Sequence, residues 1–249
     1  MTEKDTEDKY RAPALDKGLD ILELLAAQPK GMTRSEIVKS LGRSSSEIYR
    51  MLERLVIRGY VNRSLEGDRF ALSIKLFQLG ATFPPVRRIV DRAQPLMDGF
   101  ARRSLQSIHL AVPDRGKIFV VAQATSQAAW EFRLRQGAEL DLLTTGSGQT
   151  FLAFSSPEKR NHLLALAAEP TVPDAIADDL KEISDAGHRI RPSQQLIGVT
   201  DISVPVFTNT GGPVGVLTCP FLPRVDQENQ QINECLAMIL ETAQNIRAA

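Results

Sequence analysis

The five residues GSGQT, Gly146 to Thr150, come nearest in type and spacing to a site for chemistry in this chain. A glycine loop entering a helix leaves backbone N–H groups free, and with the helix dipole these can receive a carboxylate. The plainer reading of the same residues is a structural cap. Side chains suited to bond-making are sparse elsewhere. His109, His162 and His188 are far apart, with no HExxH or HxxxH spacing, and no GxSxG, P-loop or dinucleotide fingerprint occurs. His109 falls in an alternating stretch and reads as a packed or hydrogen-bonding core histidine. Cys219 and Cys235 form no CxxC pair, and neither sits beside a histidine, so both read as core residues in a reducing compartment. No catalytic residue, metal ligand or cofactor is expected. Binding is the class of function left.

Composition narrows the class further. The chain has 249 residues, 43% of them hydrophobic, with glycine and proline spread out, which describes a globular protein with a buried core. Two domains are expected, since domains cluster at roughly 100–150 residues. No run of about 18 apolar residues occurs and the charged start MTEKDTEDKYR has no apolar core, so neither a membrane span nor a signal peptide is expected, and the expected location is cytoplasmic. The net charge of zero hides a split. Residues 1–8 carry net −3, residues 9–78 carry 13 Lys and Arg against 8 Asp and Glu, net +5, and residues 79–249 carry net −2. A basic segment ahead of a near-neutral one suits a nucleic-acid-binding head on a separate body, because Lys and Arg make the phosphate contacts. An ordinary solvated surface can show the same excess, so pattern must decide.

From Ala14, ALDKGLDILELLAAQ places Leu15, Leu19, Leu22 and Leu25 or Ala26 on one face at helical spacing. Pro29 and Gly31 end that helix. Thr33 with Glu36 has capping-box spacing and opens a second, which stops near Leu41 and Gly42. Ser44 with Glu47 repeats the box for a third helix, whose buried stripe is Ile48, Leu52 and Leu55 and whose outward face holds Ser45, Ser46, Tyr49, Arg50 and Glu53. Gly59 stops it. YVNR, a turn at LEGD, and RFAL then read as a two-stranded hairpin, with Arg63 and Arg69 flanking its tip. Two short helices around a tight turn, followed by such a hairpin, make a winged helix-turn-helix. Small serines at the start of the third helix let it approach base edges and phosphates. The expected DNA-facing residues are Ser44, Ser45, Ser46, Tyr49, Arg50, Arg63 and Arg69.

Beyond Pro84 and Pro85, which mark a linker, VRRIVDRAQPLMDGFARRS reads as a helix with Pro95 tolerated or kinking it. SIHLAVPDRGKIFVVAQA is a hairpin around DRGK, and WEFRLRQG reads as a further alternating strand with Trp130, Phe132 and Leu134 on one side. In GVTDISVPVF, Ile202, Val204 and Val206 take the core face, leaving Val199, Asp201 and Ser203 on the other, where Thr218 of the next strand also falls. A closing amphipathic helix turns Ile232, Cys235, Leu236 and Ile239 inward.

Residues 13–80 resemble the amino-terminal winged helix of the IclR family of bacterial transcription regulators. The family's ALxRGLxILxxL stands here as ALDKGLDILELL, its hRLLxxLxxxGYV as YRMLERLVIRGYV, and its YRLGxxLLxLG as FALSIKLFQLG. The resemblance continues to the end of the chain, where LLTTGSGQTFLAF is similar to PLHATAxGKAxLAF and AGHRIRPSQQLIGVTDISVPVF to GYAxxxEExxxGVxCIAAPVF. It implies an α+β protein: a tail (1–12), a winged helix-turn-helix (13–80), a linker helix region (81–104) and a GAF-like effector domain with an antiparallel sheet flanked by helices (105–249). It also implies a ligand-responsive regulator that binds operator DNA, responds to a small organic effector, and assembles as a homodimer or dimer of dimers. A GAF-like sensor with weak catalytic activity is the alternative.

By motif, the ligand-facing positions are Ala129, Phe132, Gly146, Ser147, Gln149, Val199, Asp201, Ser203 and Thr218. The chain departs from the family at Ser44-Ser45-Ser46-Glu47, which replaces Pro-Lys-Ser-Thr, and at Gln149, Gln194-Gln195 and Asp201, which replace lysine, a glutamate pair and cysteine. A buried carboxylate is costly unless partnered, so Asp201 is expected either to contact a donor-rich ligand or to pair with Arg133, Arg135 or Arg191. Neutral donors at the helix start facing that acceptor suit a neutral, hydroxylated or amine-bearing molecule.

Overall fold

The computed structural model describes residues 12–65, 68–129, 131–168, 172–207, 211–223 and 228–248. The expected tail, except for Ala12, lies outside the described residues, as do Glu66 and Gly67 of the LEGD turn and Trp130. The chain divides into two compact units, Met1–Phe83 and Pro84–Ala249.

In the first unit, α1 (Pro13–Ala26), α2 (Arg34–Leu41) and α3 (Ser45–Ile57) pack around Ile21, Leu25, Ile37, Ile48 and Leu52. The face expected for α1 is shifted. Ile21 and Leu25, one turn apart, are buried, whereas Leu15 and Leu19 are 61% and 47% exposed. Both expected capping boxes form. Thr33 Oγ1 accepts from the Glu36 N–H while Thr33 N–H donates to the Glu36 carboxylate, and Ser44 and Glu47 do the same for α3. Helix α3 ends in a Schellman turn, in which Gly59 N–H donates to Val56 O and Tyr60 N–H to Leu55 O, both at 2.9 Å. The wing is three-stranded rather than two. β2 (Val61–Arg63) pairs with β3 (Arg69–Leu72), and a two-residue strand β1 (Met32–Thr33), too short to show alternation, pairs with the other side of β3. A helix α4 (Lys75–Thr82) closes the unit with no buried residue of its own.

The second unit opens with α5 (Pro84–Ser104), a continuous 21-residue helix with Pro95 inside it. Much of the expected linker region is therefore core: Ala93, Met97, Phe100 and Ala101 of α5 are buried. The six-stranded antiparallel sheet has the order β6-β5-β4-β9-β8-β7, comprising β4 (Ile108–Asp114), β5 (Lys117–Ala124), β6 (Glu139–Leu140), β7 (Arg189–Pro192), β8 (Thr200–Phe207) and β9 (Pro213–Phe221). At the DRGK turn Arg115 has φ 41° and Gly116 φ 74°, the pair of positive values that a tight two-residue hairpin needs. One face of the sheet, through Ile202, Val204, Val206, Leu217 and Cys219, packs on α5 and α9 (Glu228–Ala248). The other lies under α6 (Gly146–Phe154), with α7 (Pro157–Leu166) and α8 (Asp174–Ala186) beyond it.

Residues 131–135 do not form the expected strand. Just beyond them, Gly137 N–H and Gln136 Nε2 donate to Val120 O and Val121 O along the edge of β5, and only Glu139–Leu140 pairs in register. Cys219 and Cys235 are both buried and free, with Sγ atoms 3.6 Å apart. Among the described residues no helix is long and apolar enough to cross a membrane, and no group of three His, Cys, Asp or Glu could hold a metal ion.

Candidate functional site

The first site is the basic face of the winged helix. Ser45, Ser46, Tyr49 and Arg50 are exposed along the start of α3, as expected. Ser44 is occupied by the cap, with its Oγ 2.7 Å from the Glu47 carboxylate. Glu47, the carboxylate that departs from the family pattern, is bound on the protein side. Lys17 of α1 and Ser44 both donate to it, and Lys17 foremost holds its pKa down to about 2. It therefore presents less negative charge to a phosphate backbone than the sequence suggests. Arg69 is folded back, with Nη1 donating to Gly31 O at 3.1 Å and 3.6 Å from the Glu36 carboxylate. Arg63 stacks over Phe70 at 5.6 Å. Between α2, α3 and the wing lies a cleft of about 370 Å³ lined by Tyr49, Arg63 and Arg34. Arg34, which stacks over Tyr49 at 5.7 Å, was not singled out by the sequence reading, because at the first turn of α2 it looks like any solvated helix residue.

The second site sits beneath the amino terminus of α6. Thr145 caps that helix by accepting from Gly148 N–H at 3.1 Å, while Asp141 accepts from Leu143 and Thr144 N–H at 2.8 Å and shapes the approach. The first N–H groups of a helix have no intrahelical partner, so Gly146 and Ser147 begin α6 with donors facing outward along its axis. A cavity of about 40 Å³ lies there. It brings together Phe132, Gly146, Ser147, Asp201 and Thr218 from the expected set.

The other four expected residues do not line it. Ala129 lies exposed on the bend after β5. Val199 is buried with its carbonyl held by Ser193 N–H, Gln149 is buried behind the helix, and Ser203 stands one layer back. The cavity gains residues outside the expected set, among them His109, Thr144 and Ser193, together with Gln194 and Gln195, where the chain departs from the family pattern. His109 pairs in register with Thr218, so strand pairing, not local sequence, brings it to the site.

A hydrogen-bonded chain crosses the floor. His109 Nε2 is 3.3 Å from Ser147 Oγ, which is 2.9 Å from Thr218 Oγ1, in turn 2.9 Å from Ser203 Oγ. Burial pushes the His109 pKa down to about 4, so the ring is neutral near pH 7. Asp201 has none of the partners expected for it. Arg191 is its register partner, but reaches Asp179 and Glu182 at 3.0 and 2.6 Å, and Arg133 pairs with Glu131 at 3.2 Å. Its counter-charge is Arg189, two positions earlier on β7. Burial pushes the Asp201 carboxyl up, and the Arg189 guanidinium and Ser193 pull it back.

A winged helix-turn-helix followed by a helix-flanked antiparallel sheet with a small cavity of mixed polar and apolar lining is the build of a DNA-binding regulator with an effector unit. The family described as "IclR helix-turn-helix domain" matches residues 14–64, and that described as "Bacterial transcriptional regulator IclR C-terminal" matches residues 85–248. The chain belongs to the IclR family of bacterial transcriptional regulators. It is 26% identical over 240 residues to the HTH-type transcriptional regulator KdgR of Escherichia coli, covering 93% of this chain and 90% of that one. It is also 26% identical over 212 residues to the regulator BhcR of Paracoccus denitrificans, covering 82% and 76%. Among solved structures, the IclR of Thermotoga maritima superposes with a TM-score of 0.75 at 23% identity, covering 94% of this chain and 97% of that one. An IclR homolog of Microbacterium hydrocarbonoxydans, complexed with 4-hydroxybenzoate, gives 0.77 at 21% identity, covering 94% and 98%.

Proposed function

We propose that this chain binds operator DNA through α3 and the wing, and a small organic effector in the cavity under α6, each biasing the other through two arrangements of the protein. The observation that carries the effector half is the convergence of outward N–H groups of α6 with Asp201, Thr218 and neutral His109 around one cavity. The 4-hydroxybenzoate held by the Microbacterium relative is itself a small organic acid. In operator binding, Arg50, Ser45 and Ser46 contact bases and phosphates, and Arg63, Tyr49 and Arg34 contact the backbone. A single small winged helix offers little surface for tight specific binding, so two copies bind two half-sites. The exposed Leu15 and Leu19 of α1, together with Phe77 of α4, 70% exposed, supply apolar surface for that pairing. Light scattering is expected to show a dimer or a dimer of dimers.

The rival reading, a sensor with weak catalytic activity, draws on the contact of His109 with Ser147. It is disfavoured because the Ser147 hydroxyl is shared with Thr218 and the histidine is 3% exposed among apolar strands. We assign no catalytic role. The test is fluorescence anisotropy of labelled DNA from the region upstream of the chain's own gene, with and without a panel of small acids and aromatics. A saturable, ligand-dependent change in DNA affinity supports the reading. Tight DNA binding indifferent to every compound that binds the chain overturns it.

A further inference from the structure

Arg189 is a cation placed where the fold gives it little solvent, at 2% exposure. Its Nε donates to Gln149 Oε1 at 3.0 Å, and its Nη1 has no hydrogen-bond partner among the described residues. A Cβ built on Gly146 would stand 3.1 Å from that Nη1, 3.1 Å from Asp201 Cβ and 2.9 Å from Ser203 Oγ. A buried guanidinium, a carboxylate-bearing strand residue and the first residue of α6 thus converge within the width of one side chain. A helix terminus alone defines no ligand. Here a buried donor without a hydrogen-bond partner among the described residues stands 3.1 Å from the position of that Cβ, behind the residues that line the cavity.

The charges then restrict the ligand. The start of α6 attracts an anion, but Asp201, on the same cavity wall, would repel one. Arg189 offsets that repulsion, since opposite charges act strongly on each other where water is excluded. Each member of the pair is destabilised by burial and drawn back by the other. With its charge offset, Asp201 still offers oxygen acceptors close to where a carboxylate would sit. We infer, on the effector reading above, that the cavity takes a small acid bearing a hydroxyl or amine on the carbon next to its carboxylate, and that Arg189 is the positioning residue that lets Asp201 and the ligand carboxylate coexist. A volume of about 40 Å³ holds about three water-sized groups, at roughly 10–15 Å³ each, which matches the head of such a molecule. Phe132, Leu134 and Leu196 form an apolar side for the rest of it.

The test is calorimetric titration of the full chain with 2-hydroxyisovalerate, valine, 2-oxoisovalerate and isovalerate, which share one carbon skeleton and differ only beside the carboxylate. The hydroxy acid or the amino acid is expected to bind at least about tenfold more tightly than the oxo and unsubstituted acids. Asp201→Val removes the acceptor, so all four acids bind with similar affinity. Arg189→Met leaves the Asp201 charge unopposed and weakens all four, and adding Asp201→Val to it restores them without the preference. A purely structural role for Arg189 predicts no such restoration. If Arg189→Met does not fold, Asp201→Val and the double variant carry the test. The inference is overturned if none of the four acids binds, if isovalerate binds within about threefold of the hydroxy acid, or if the folded double variant stays weak. The effector reading itself falls only if a wide panel of small acids and aromatics also neither binds nor changes DNA affinity.

Discussion

Lys17 on α1 donates to the carboxylate of Glu47, 30 positions away in the first turn of α3, and so ties the outer helix to the start of the one proposed to face DNA. Its sequence consequence is easy to misjudge, because Glu47 looks like a charge aimed at phosphate.

That pair sets an acid sensitivity. The folded pKa of Glu47 is lowered from 4.5 to about 2, so its contribution is fully present above pH 4.5 and is lost as pH falls toward 2. Lys17→Met is expected to lower the stability of the first unit at neutral pH, to flatten its decline between those values, and to converge with the parent near pH 2. Amide signals of α3 followed by NMR through an acid titration measure this. Identical profiles would mean that the contact is not formed in solution.

The arginines of the first unit should separate in DNA binding. Arg50 projects from the exposed face of α3, and Arg50→Ala is expected to cost about 1–3 kcal/mol of specific affinity if it reads a base pair bidentately. Arg69, already engaged with Gly31 O and Glu36, is expected to lose less on substitution and to loosen the wing instead. Anisotropy titrations at several salt concentrations distinguish the two. Equal losses for both variants would place Arg69 on the DNA.

The two glycines of GSGQT do different work. A Cβ at Gly148 would lie 2.5 Å from backbone atoms of Asp141 and Leu142, which cannot step aside, so Gly148→Ala is expected to destabilise the second unit by about 1–3 kcal/mol or more. At Gly146 the obstacles are chiefly side-chain atoms of Ser203, Arg189 and Asp201. Gly146→Ala should therefore melt closer to the parent while losing ligand affinity. Thermal denaturation and titration of the two variants decide the matter, and the reverse order would contradict it.

His109 gives the second unit its own pH dependence. Its folded pKa of about 4 lies below the ordinary 6.5, so the unfolded chain takes up a proton first as pH falls. Stability on the order of 3 kcal/mol is present above pH 6.5 and is lost by about pH 4. His109→Asn, compared with the parent by chemical denaturation across that range, should show a flatter profile.

Much of this was legible in the sequence, and the reason is locality. Capping boxes at Thr33 and Ser44, the stop at Gly59 and the alternation through Ile202, Val204 and Val206 depend on residues a few positions apart, and all stand in the structure. What sequence could not show depends on strand order. The Asp201 counter-charge is Arg189 rather than Arg191: the two arginines, two apart on β7, share one face of the sheet, and Arg191 is taken up by Asp179 and Glu182 of α8. His109 joins the cavity only because β4 lies beside β9. Periodicity puts Leu15 and Leu19 on the apolar face of α1 but does not show that they stay exposed, because it marks a face as apolar and not how far its neighbours extend.

β8 is a shared wall between two rooms. Asp201 and Ser203 look toward α6, while Ile202 and Val204 press on α5 and α9 from the other side. Helix α5 starts at Pro84, the residue after the last one of the first unit. A molecule that shifts the strand from the cavity side moves its neighbours on the far side at once, because side chains point alternately to the two faces at about 3.3 Å per residue. On the effector reading proposed above, the effect of a ligand would have to cross only the thickness of one strand to reach α5, whose first residue follows Phe83 in the chain.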